Sequence, residues 1–147
     1  MTSLDARGLA VTAADAEALA LYDAAVASLV GQRGDAAARM AAALERDPLL
    51  ASAYCLRAAM LVLAGNAAAR APLAATLRVL DGLAAANERE RRHAAAARVW
   101  LEGDPALALE RYAAIVIDYP RDNVALQVAH SLDFRLGHRE MLRDGRP

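Results

Sequence analysis

The feature that most constrains this chain is a turn that recurs at nearly constant spacing. A glycine followed by a polar residue recurs at spacings of 31, 38 and 34 residues, at Gly34-Asp35, Gly65-Asn66, Gly103-Asp104 and Gly137-His138. Glycine commonly ends a helix, and Asp or Asn commonly begins one, so each turn is expected to separate two helices. Paired helices in units of about 34 residues are typical of helical solenoids, in which neighbouring hairpins bury each other's apolar faces.

The amino-acid composition favours helices throughout. Alanine accounts for 40 of the 147 residues, whereas the chain has one Phe, one Trp and few β-branched residues. Ala, Leu, Arg and Glu are strong helix formers, and the residue types that favour sheets are the scarce ones. We therefore predict an all-α helical-hairpin solenoid of about seven helices with a partial eighth.

Capping residues and prolines predict where each helix begins and ends. Thr12 is the expected cap of the first helix, Pro48 and Pro120 close two hairpins, and Gly137 ends the seventh helix. The predicted helices cover about 13–30, 35–46, 49–64, 71 to 80 or 83, 87–102, 104–119 and 122–136, with a partial eighth at 138–143. A single domain, 1–147, then contains repeats at about 13–48, 49–86 and 87–120 and a partial repeat at 122–147.

The charges of the chain nearly cancel. It has 17 arginines, no lysine and 18 acidic residues, which give a net charge of −1 and a pI near 6.3. This balance lacks the strongly basic character of a general DNA- or RNA-binding protein, so no nucleic-acid partner is expected. The arginines of residues 89–92 are interleaved with acidic residues, and we interpret this segment as a solvated ion-pair face.

Cysteine usage and hydropathy indicate the compartment. Cys55 is the only cysteine, which excludes an internal disulfide and fits a reducing compartment. The first nine residues contain Asp5 and Arg7 and no apolar run, unlike a signal peptide. The most apolar window, 49–64, contains Arg57 and is too short to span a bilayer. We therefore expect a cytoplasmic protein with no membrane partner.

Residues 89–120 resemble the tetratricopeptide repeat. Gly103-Asp104, Ala108, Tyr112 and Pro120 match the turn, small, aromatic and terminal positions of that repeat. The small side chain of Ala108 lets two paired helices approach closely, and Tyr112 fills the space between them. The other units depart from the pattern, since the first has Met40 at the aromatic position and the second lacks a closing proline. The resemblance implies a solenoid with a concave protein-binding groove.

Longer segments resemble the family of tetratricopeptide repeat protein 38. They are residues 89–93, 100–104, 118–122, 129–130, 136–137 and 143–144. The resemblance runs from about Asp15 onward and corresponds to the N-terminal third of the longer family members. Ser131 departs from the family, which has Asp after the histidine. The resemblance implies a fold rather than an activity.

Side chains of the fifth and seventh predicted helices are candidates for that concave groove. Glu90, His93 and Trp100 recur at helical spacing and therefore share a face. A strip of aromatic, polar and cationic side chains suits the recognition of a peptide or a carboxylate. In the alternative interpretation, Trp100 and Phe134 pack between repeats. The expected groove residues are Glu90, His93, Trp100, Gln127, Ser131, Phe134 and Arg135.

Catalytic and metal-binding motifs are not found in the sequence. It has no HExxH, CxxC, GxSxG, P-loop or GxGxxG pattern, so no catalytic residue, metal or cofactor is expected. His130 is predicted to be buried and hydrogen-bonded to a carbonyl, although pairing with Asp133 at i+3 is an alternative. Cys55 is predicted to be an inert core residue.

An apolar stripe on the last helices predicts self-association. It includes Leu126 and Ala129, and the short final helix is expected to leave it uncovered. The residues expected to self-associate are Leu132, Leu136, Met141 and Leu142. The predicted function is a protein-protein interaction module that binds a peptide or helix in its groove and forms a homodimer. The alternative is part of a larger enzyme or small-molecule-binding solenoid, with His93 and His130 in a pocket.

Overall fold

The computed structural model describes residues 2–144, and side chains over residues 2–137. Within this part of the chain the fold is all-helical apart from a short hairpin, which confirms the predicted class. The strands are β1 (Thr2–Leu4) and β2 (Ala10–Thr12). The helices are α1 (Ala16–Val30), α2 (Ala36–Arg46), α3 (Ala51–Ala64), α4 (Arg70–Asp81), α5 (Glu88–Leu101), α6 (Pro105–Asp118) and α7 (Asn123–Asp144), with a 3-10 turn at Ala67–Ala69 before α4.

Local capping chemistry accounts for most helix boundaries. Asn87 and Glu90 form a capping box at the predicted start of the fifth helix, and the Asp104 carboxylate accepts from a backbone N–H in the first turn of α6. The prediction that Thr12 caps the first helix is wrong. Thr12 belongs to β2, and α1 begins after Asp15, whose carboxylate accepts a hydrogen bond from the helix.

The predicted break at Gly137 is also wrong. α7 continues through this glycine to Asp144, so no eighth helix begins at residue 138. Gly65 and Gly103 adopt positive φ angles of 65° and 94°, whereas Gly137 does not. His138 lacks the short side chain of Asp or Asn that begins a new helix, and an interior glycine costs a helix only about 1 kcal/mol.

The N-terminal hairpin was not predicted. β1 and β2 pair antiparallel, with Ser3 opposite Val11, and the side chain of Val11 is fully buried. The Asp5 carboxylate holds the turn by accepting from the backbone N–H groups of Arg7 and Leu9, both at 2.9 Å. A polar loop therefore closes a pair of strands that are too short to leave a β pattern in an alanine-rich sequence.

The helices pack in order along the chain. α1 pairs with α2, α3 with α4 and α5 with α6, and each pair also contacts the next. α7 packs on α6 and also reaches back to α3 and α1. Along the described part of the chain, the helices are too short or too polar to cross a membrane. The largest buried apolar side chains include Leu50, Leu56, Leu73, Tyr112 and Ile115.

Candidate functional site

Five polar side chains form a buried network where α3, α5 and the start of α7 meet. Each is at most 4% exposed. Burial of charged groups is costly unless they are paired and hydrogen-bonded, so their contacts determine what this network does. The members of the buried network are Ser52, Arg89, Glu90, His93 and Asp122.

Asp122 contacts two side chains of the buried network through one carboxylate oxygen. Its Oδ2 accepts from Nη1 of Arg89 at 2.9 Å and lies 2.7 Å from Nε2 of His93. Its Oδ1 accepts from the backbone N–H of Ala125 at 3.0 Å and so caps α7. Burial alone would raise the pKa of Asp122, but His93, the Ala125 N–H and Arg89 outweigh it and hold this pKa well below its usual range.

Glu90 is the second carboxylate of the buried network. Its Oε1 accepts from the backbone N–H of Asn87 at 2.9 Å, and the Ser52 hydroxyl donates to its Oε2. Nη2 of Arg89 lies 3.4 Å from the oxygen of that hydroxyl. Arg89 therefore contacts one carboxylate directly and reaches the other through Ser52.

The N-terminal hairpin is attached to the same helix end. The carbonyl oxygen of Ala10 accepts from Nδ2 of Asn87 at 2.9 Å and from Nη2 of Arg89 at 3.4 Å. The start of α5 thus joins the hairpin on one side and α7 on the other. The interpretation of Arg89 as part of a solvated face is wrong, because α7 and the hairpin cover it.

Two polar atoms beside the network are buried without a partner among the described residues. They are Nδ1 of His93 and the hydroxyl of Tyr112, whose rings meet edge to face with centroids 5.9 Å apart. A His93 ring oriented by Asp122 has the arrangement of a general base, but a base needs a reacting group within reach. Neither residue lines the surface cavities described below. The contacts of the network join α3, α5, the start of α7 and the N-terminal hairpin.

Cys55 lies against the network without joining its charges. Its Sγ is 3.4 Å from the backbone oxygen of Glu90, and the residue is 3% exposed. Burial and the nearby Glu90 carboxylate raise the pKa of the thiol well above its ordinary value. The predicted burial of Cys55 in the core is confirmed.

The residues predicted on the fifth helix do not present an open groove. Glu90 and His93 are 0% and 1% exposed and belong to the buried network, while Trp100 is partly buried against the core. Arg91 is the exposed basic residue of this segment, while Arg92 is partly buried and pairs with Asp118 at 2.7 Å. Helical spacing grouped these side chains correctly on one face, but that face is covered.

The residues predicted on the seventh helix separate into two groups. Gln127, Ser131 and Phe134 lie together with His130 and Asp133 around a shallow cavity of about 520 Å³. The prediction that His130 is buried is wrong, since it is exposed on the outer side of α7. The structure does not bring His130 into a cavity with His93, because His93 lies on the covered side of α5.

Arg135 belongs to the second group, which fastens α7 to α3. Its guanidinium donates to the carbonyl oxygen of Val62 at 3.3 Å and to that of Leu63. Both carbonyls lie in the last turn of α3, where a cation interacts favourably with the helix dipole. Arg135 therefore caps a neighbouring helix.

A second cavity opens between α6 and α7, and we call it the α6–α7 groove. Its volume is about 420 Å³, and its floor is mostly apolar. The lining residues are Leu109, Ala113 and Val116 from α6 and Leu126, Ala129, His130 and Asp133 from α7. No helix of the described part of the chain covers this outer side.

The residues predicted to self-associate lie elsewhere. Leu132 is 2% exposed, so its assignment to an open face is wrong, and Leu136 is half-buried. The side chains of Met141 and Leu142 lie outside the described residues. The open apolar surface is instead the α6–α7 groove, which contains Leu126 and Ala129 of the predicted stripe but neither Leu132 nor Leu136.

Sequence analysis missed the buried network as a unit. Asp122 was included only as the first residue of the seventh predicted helix and in one resembling segment, and Ser52 was not identified at all. One signal in the sequence could have pointed to the network. Two of the segments that carry the family resemblance, 89–93 and 118–122, contain four of its five members. Within residues 2–137, no three His, Cys, Asp or Glu side chains converge as a metal site.

Comparison with known proteins gives no match: no family model, no curated protein and no solved structure matches the chain. The resemblance to tetratricopeptide repeats therefore stays a prediction, and the proposals below rest on the contacts of this chain.

Proposed function

We propose that this chain is a protein-protein interaction module of the tetratricopeptide-like solenoid type, which binds an apolar helix or peptide in the α6–α7 groove. The observation that carries the proposal is the groove itself, an apolar recess of about 420 Å³ on the last helix pair. The successive pairing of α1–α2, α3–α4 and α5–α6 supports the repeat architecture. In such an array each hairpin packs on the next, so an uncovered outer side is a binding surface.

Binding at this outer side replaces the concave groove expected from the sequence. α7 contacts α3 and α1, and Arg135 fixes it to the end of α3. The buried network occupies the space between α5 and the start of α7. A partner peptide could enter that space only by breaking buried ion pairs, whereas the α6–α7 groove is already open.

The lining of the groove defines the chemistry of its ligand. Leu109 and Val116 give an apolar floor, and the small side chains of Ala113 and Ala129 provide depth. His130 and Asp133 stand at the α7 side and supply polar contacts. This pattern suits the helix-in-groove mode, in which one aromatic or large aliphatic anchor fills a recess and polar contacts set its orientation.

The alternative prediction of an enzyme or small-molecule site has no comparable support. It required His93 and His130 in one pocket, but His93 is 1% exposed and bonded to Asp122, while His130 lines the surface groove. A second function is therefore not proposed.

A selection of helical peptides displayed on phage tests the proposal. We expect enriched peptides to carry an aromatic or large aliphatic anchor and to bind the purified protein in a fluorescence anisotropy titration. Ala113→Glu places a charged side chain in the groove and should weaken this binding at least tenfold. Ala37→Glu makes the same change on the exposed side of α2 and should leave it unchanged.

Two results would overturn the proposal. One is that no peptide is enriched, and the other is that enriched peptides bind the Ala113→Glu variant as well as the original chain. Circular dichroism of both variants controls for folding, since each introduces glutamate, a good helix former, at a helical position.

A further inference from the structure

The two ends of the α6–α7 groove differ in chemistry. α6 and α7 are joined by the short connection 119–122 and pack on each other, so they run antiparallel. Leu109 on α6 therefore lies near the level of Asp133 on α7. Val116 and Leu126 also lie near one level, closer to the connection. The two levels are about 10 Å apart, because about seven residues separate them on each helix at about 1.5 Å per residue.

The end of the groove farther from the connection is acidic. Asp133 lines the groove there, and the residue is exposed. Glu110 lies at the same end on α6, next to the lining residue Leu109, and is also exposed. It is about 160° around the helix from the buried Tyr112, so it stands on the outer rim. We call Glu110 and Asp133 the acidic end of the groove.

The arginines of residues 105–137 are directed away from the acidic end. Arg111 is about 160° around α6 from Leu109, so it faces away from the groove. Arg121 lies in the connection, where its guanidinium is against the N-terminal hairpin. Arg135 donates to carbonyl oxygens at the end of α3. Within residues 2–137, the two carboxylates of the acidic end form no ion pair, so their charge is available to a ligand.

The end of the groove nearer the connection is apolar. Val116 and Leu126 line it, and Leu126 is 36% exposed. Ile117, beside Val116, is 78% exposed. It is about 40° around α6 from the lining residue Ala113, so it extends the apolar surface of the groove outward. A ligand that lies along the groove therefore meets carboxylates at one end and aliphatic side chains at the other.

We infer that the occupant of the α6–α7 groove is an amphipathic helix of another protein that carries Lys or Arg one turn N-terminal to its apolar anchor; this inference rests on the proposed function. Charge complementarity sets the basic residue of the ligand at the acidic end. The N-terminus of a helix is the positive end of its dipole, so the same orientation is favoured by the backbone of the ligand.

The position of the recess sets the spacing on the ligand. Ala113 and Ala129, which give the groove its depth, lie about midway between its two ends. An anchor over these alanines is therefore about 5 Å from each end, or three to four residues of a ligand helix. The expected pattern is a basic residue, an anchor three or four residues later, and a second apolar residue about seven residues after the basic one.

Selection of helical peptides on phage against the original chain and a charge-reversed variant tests the inference. Peptides enriched on the original chain should carry Lys or Arg three or four residues before the anchor. On Glu110→Lys with Asp133→Lys, they should carry Asp or Glu there and keep the anchor. The control Glu17→Lys with Glu45→Lys makes the same charge change at exposed positions of α1 and α2 and should still select basic residues.

Fluorescence anisotropy measures the single contact. Asp133→Asn should weaken binding of an enriched peptide about threefold to fivefold at about 50 mM salt. It should not weaken binding of the same peptide with glutamine in place of its basic residue. The loss should disappear at about 0.5 M salt, because salt screens exposed charges. Glu45→Gln should leave both affinities unchanged, and circular dichroism of each variant controls for folding.

Failure of this inference can be told apart from failure of the proposed function. Enriched peptides that Ala113→Glu blocks, but that lack a basic residue before the anchor or ignore Asp133→Asn, overturn the inference and leave the proposed function standing. If no peptide is enriched, both are wrong. If the chain alone dimerises in sedimentation velocity and Ala113→Glu abolishes the dimer, a second copy occupies the groove, which also overturns the inference.

Discussion

Replacing Asp122 with asparagine removes the charge of the buried network and keeps its shape. The new amide oxygen can still accept from the Ala125 N–H, because asparagine caps helices as well as aspartate does. The guanidinium of Arg89 loses its counter-ion, and its side chain is only 5% exposed to water. Its remaining contacts with Ser52 and Ala10 are both at 3.4 Å.

The expected cost follows from breaking a buried ion pair. Removing one partner of such a pair typically destabilises a protein by about 3–5 kcal/mol. A single domain is stable by only about 5–15 kcal/mol, so Asp122→Asn should lose a large part of that stability. The free energy of unfolding of a small protein falls by about 2 kcal/mol per molar urea. At that slope, the urea concentration at the midpoint of unfolding should fall by about 2 M.

Urea unfolding followed by circular dichroism at 222 nm measures this change. Asp122→Ala also removes the helix cap and should cost about 1 kcal/mol more than Asp122→Asn. The double variant Arg89→Met with Asp122→Asn should recover part of the loss, because neither member of the Arg89–Asp122 ion pair is then buried without the other. Asp35→Asn breaks an ion pair with Arg39 on the surface and should leave the midpoint unchanged.

The pH dependence of unfolding independently measures how much the ionised Asp122 carboxylate stabilises the fold. The pKa of Asp122 lies below its ordinary value of 3.8 in the folded protein, so the ionised carboxylate stabilises the fold. That contribution is complete above 3.8 and is lost as the pH falls toward the lower pKa of the folded state. The stabilities of the original chain and Asp122→Asn should therefore begin to converge as the pH falls below about 4, and their difference should shrink further toward the lower pKa of the folded state. A midpoint shift no larger than that of Asp35→Asn would refute the role given to the network.

Three further predictions test local features of the fold. The buried thiol of Cys55 should react with a disulfide reagent about a hundredfold more slowly in the folded protein than in urea, and fast reaction of the folded protein would contradict its burial. Gly65→Ala should cost about 1–2 kcal/mol in thermal unfolding, because φ is 65° and a Cβ would lie 2.5 Å from a nitrogen of Arg135. Gly34→Ala meets no atom within 4 Å and should cost nothing. Gly137→Ala should stabilise the protein by about 0.5–1 kcal/mol, whereas a loss would mean that this glycine ends a helix.

Helix ends were predictable from the sequence because the responsible contacts are local. Asn87 and Glu90 are three residues apart, and their reciprocal hydrogen bonds need nothing from the rest of the fold. Gly65 ends α3 by its own left-handed conformation. The error at Gly137 has the same local origin, because the following histidine cannot cap a new helix as Asn66 does.

Which element packs on a given helix face could not be predicted in the same way. Helical spacing indicates that Glu90 and His93 share a face, but it does not show what packs on that face. The answer depends on α7, whose Asp122 is 29 residues after His93 in the sequence. A contact at that separation leaves no local pattern, and buried charges are rare enough that an exposed groove is the ordinary interpretation.

The separation of network and groove leads to a last prediction about function. Asp122 fixes the centre of the molecule through α5 and α7, whereas Ala113 lies in the outer groove. In water, where Asp122→Asn is still folded, its peptide affinity should equal that of the original chain despite its lower stability. Ala113→Glu should show the reverse, with unchanged urea unfolding and lost peptide binding. If both variants instead lose binding in proportion to their stability, the groove is not a separate surface, and the partner must occupy the interior that the network closes.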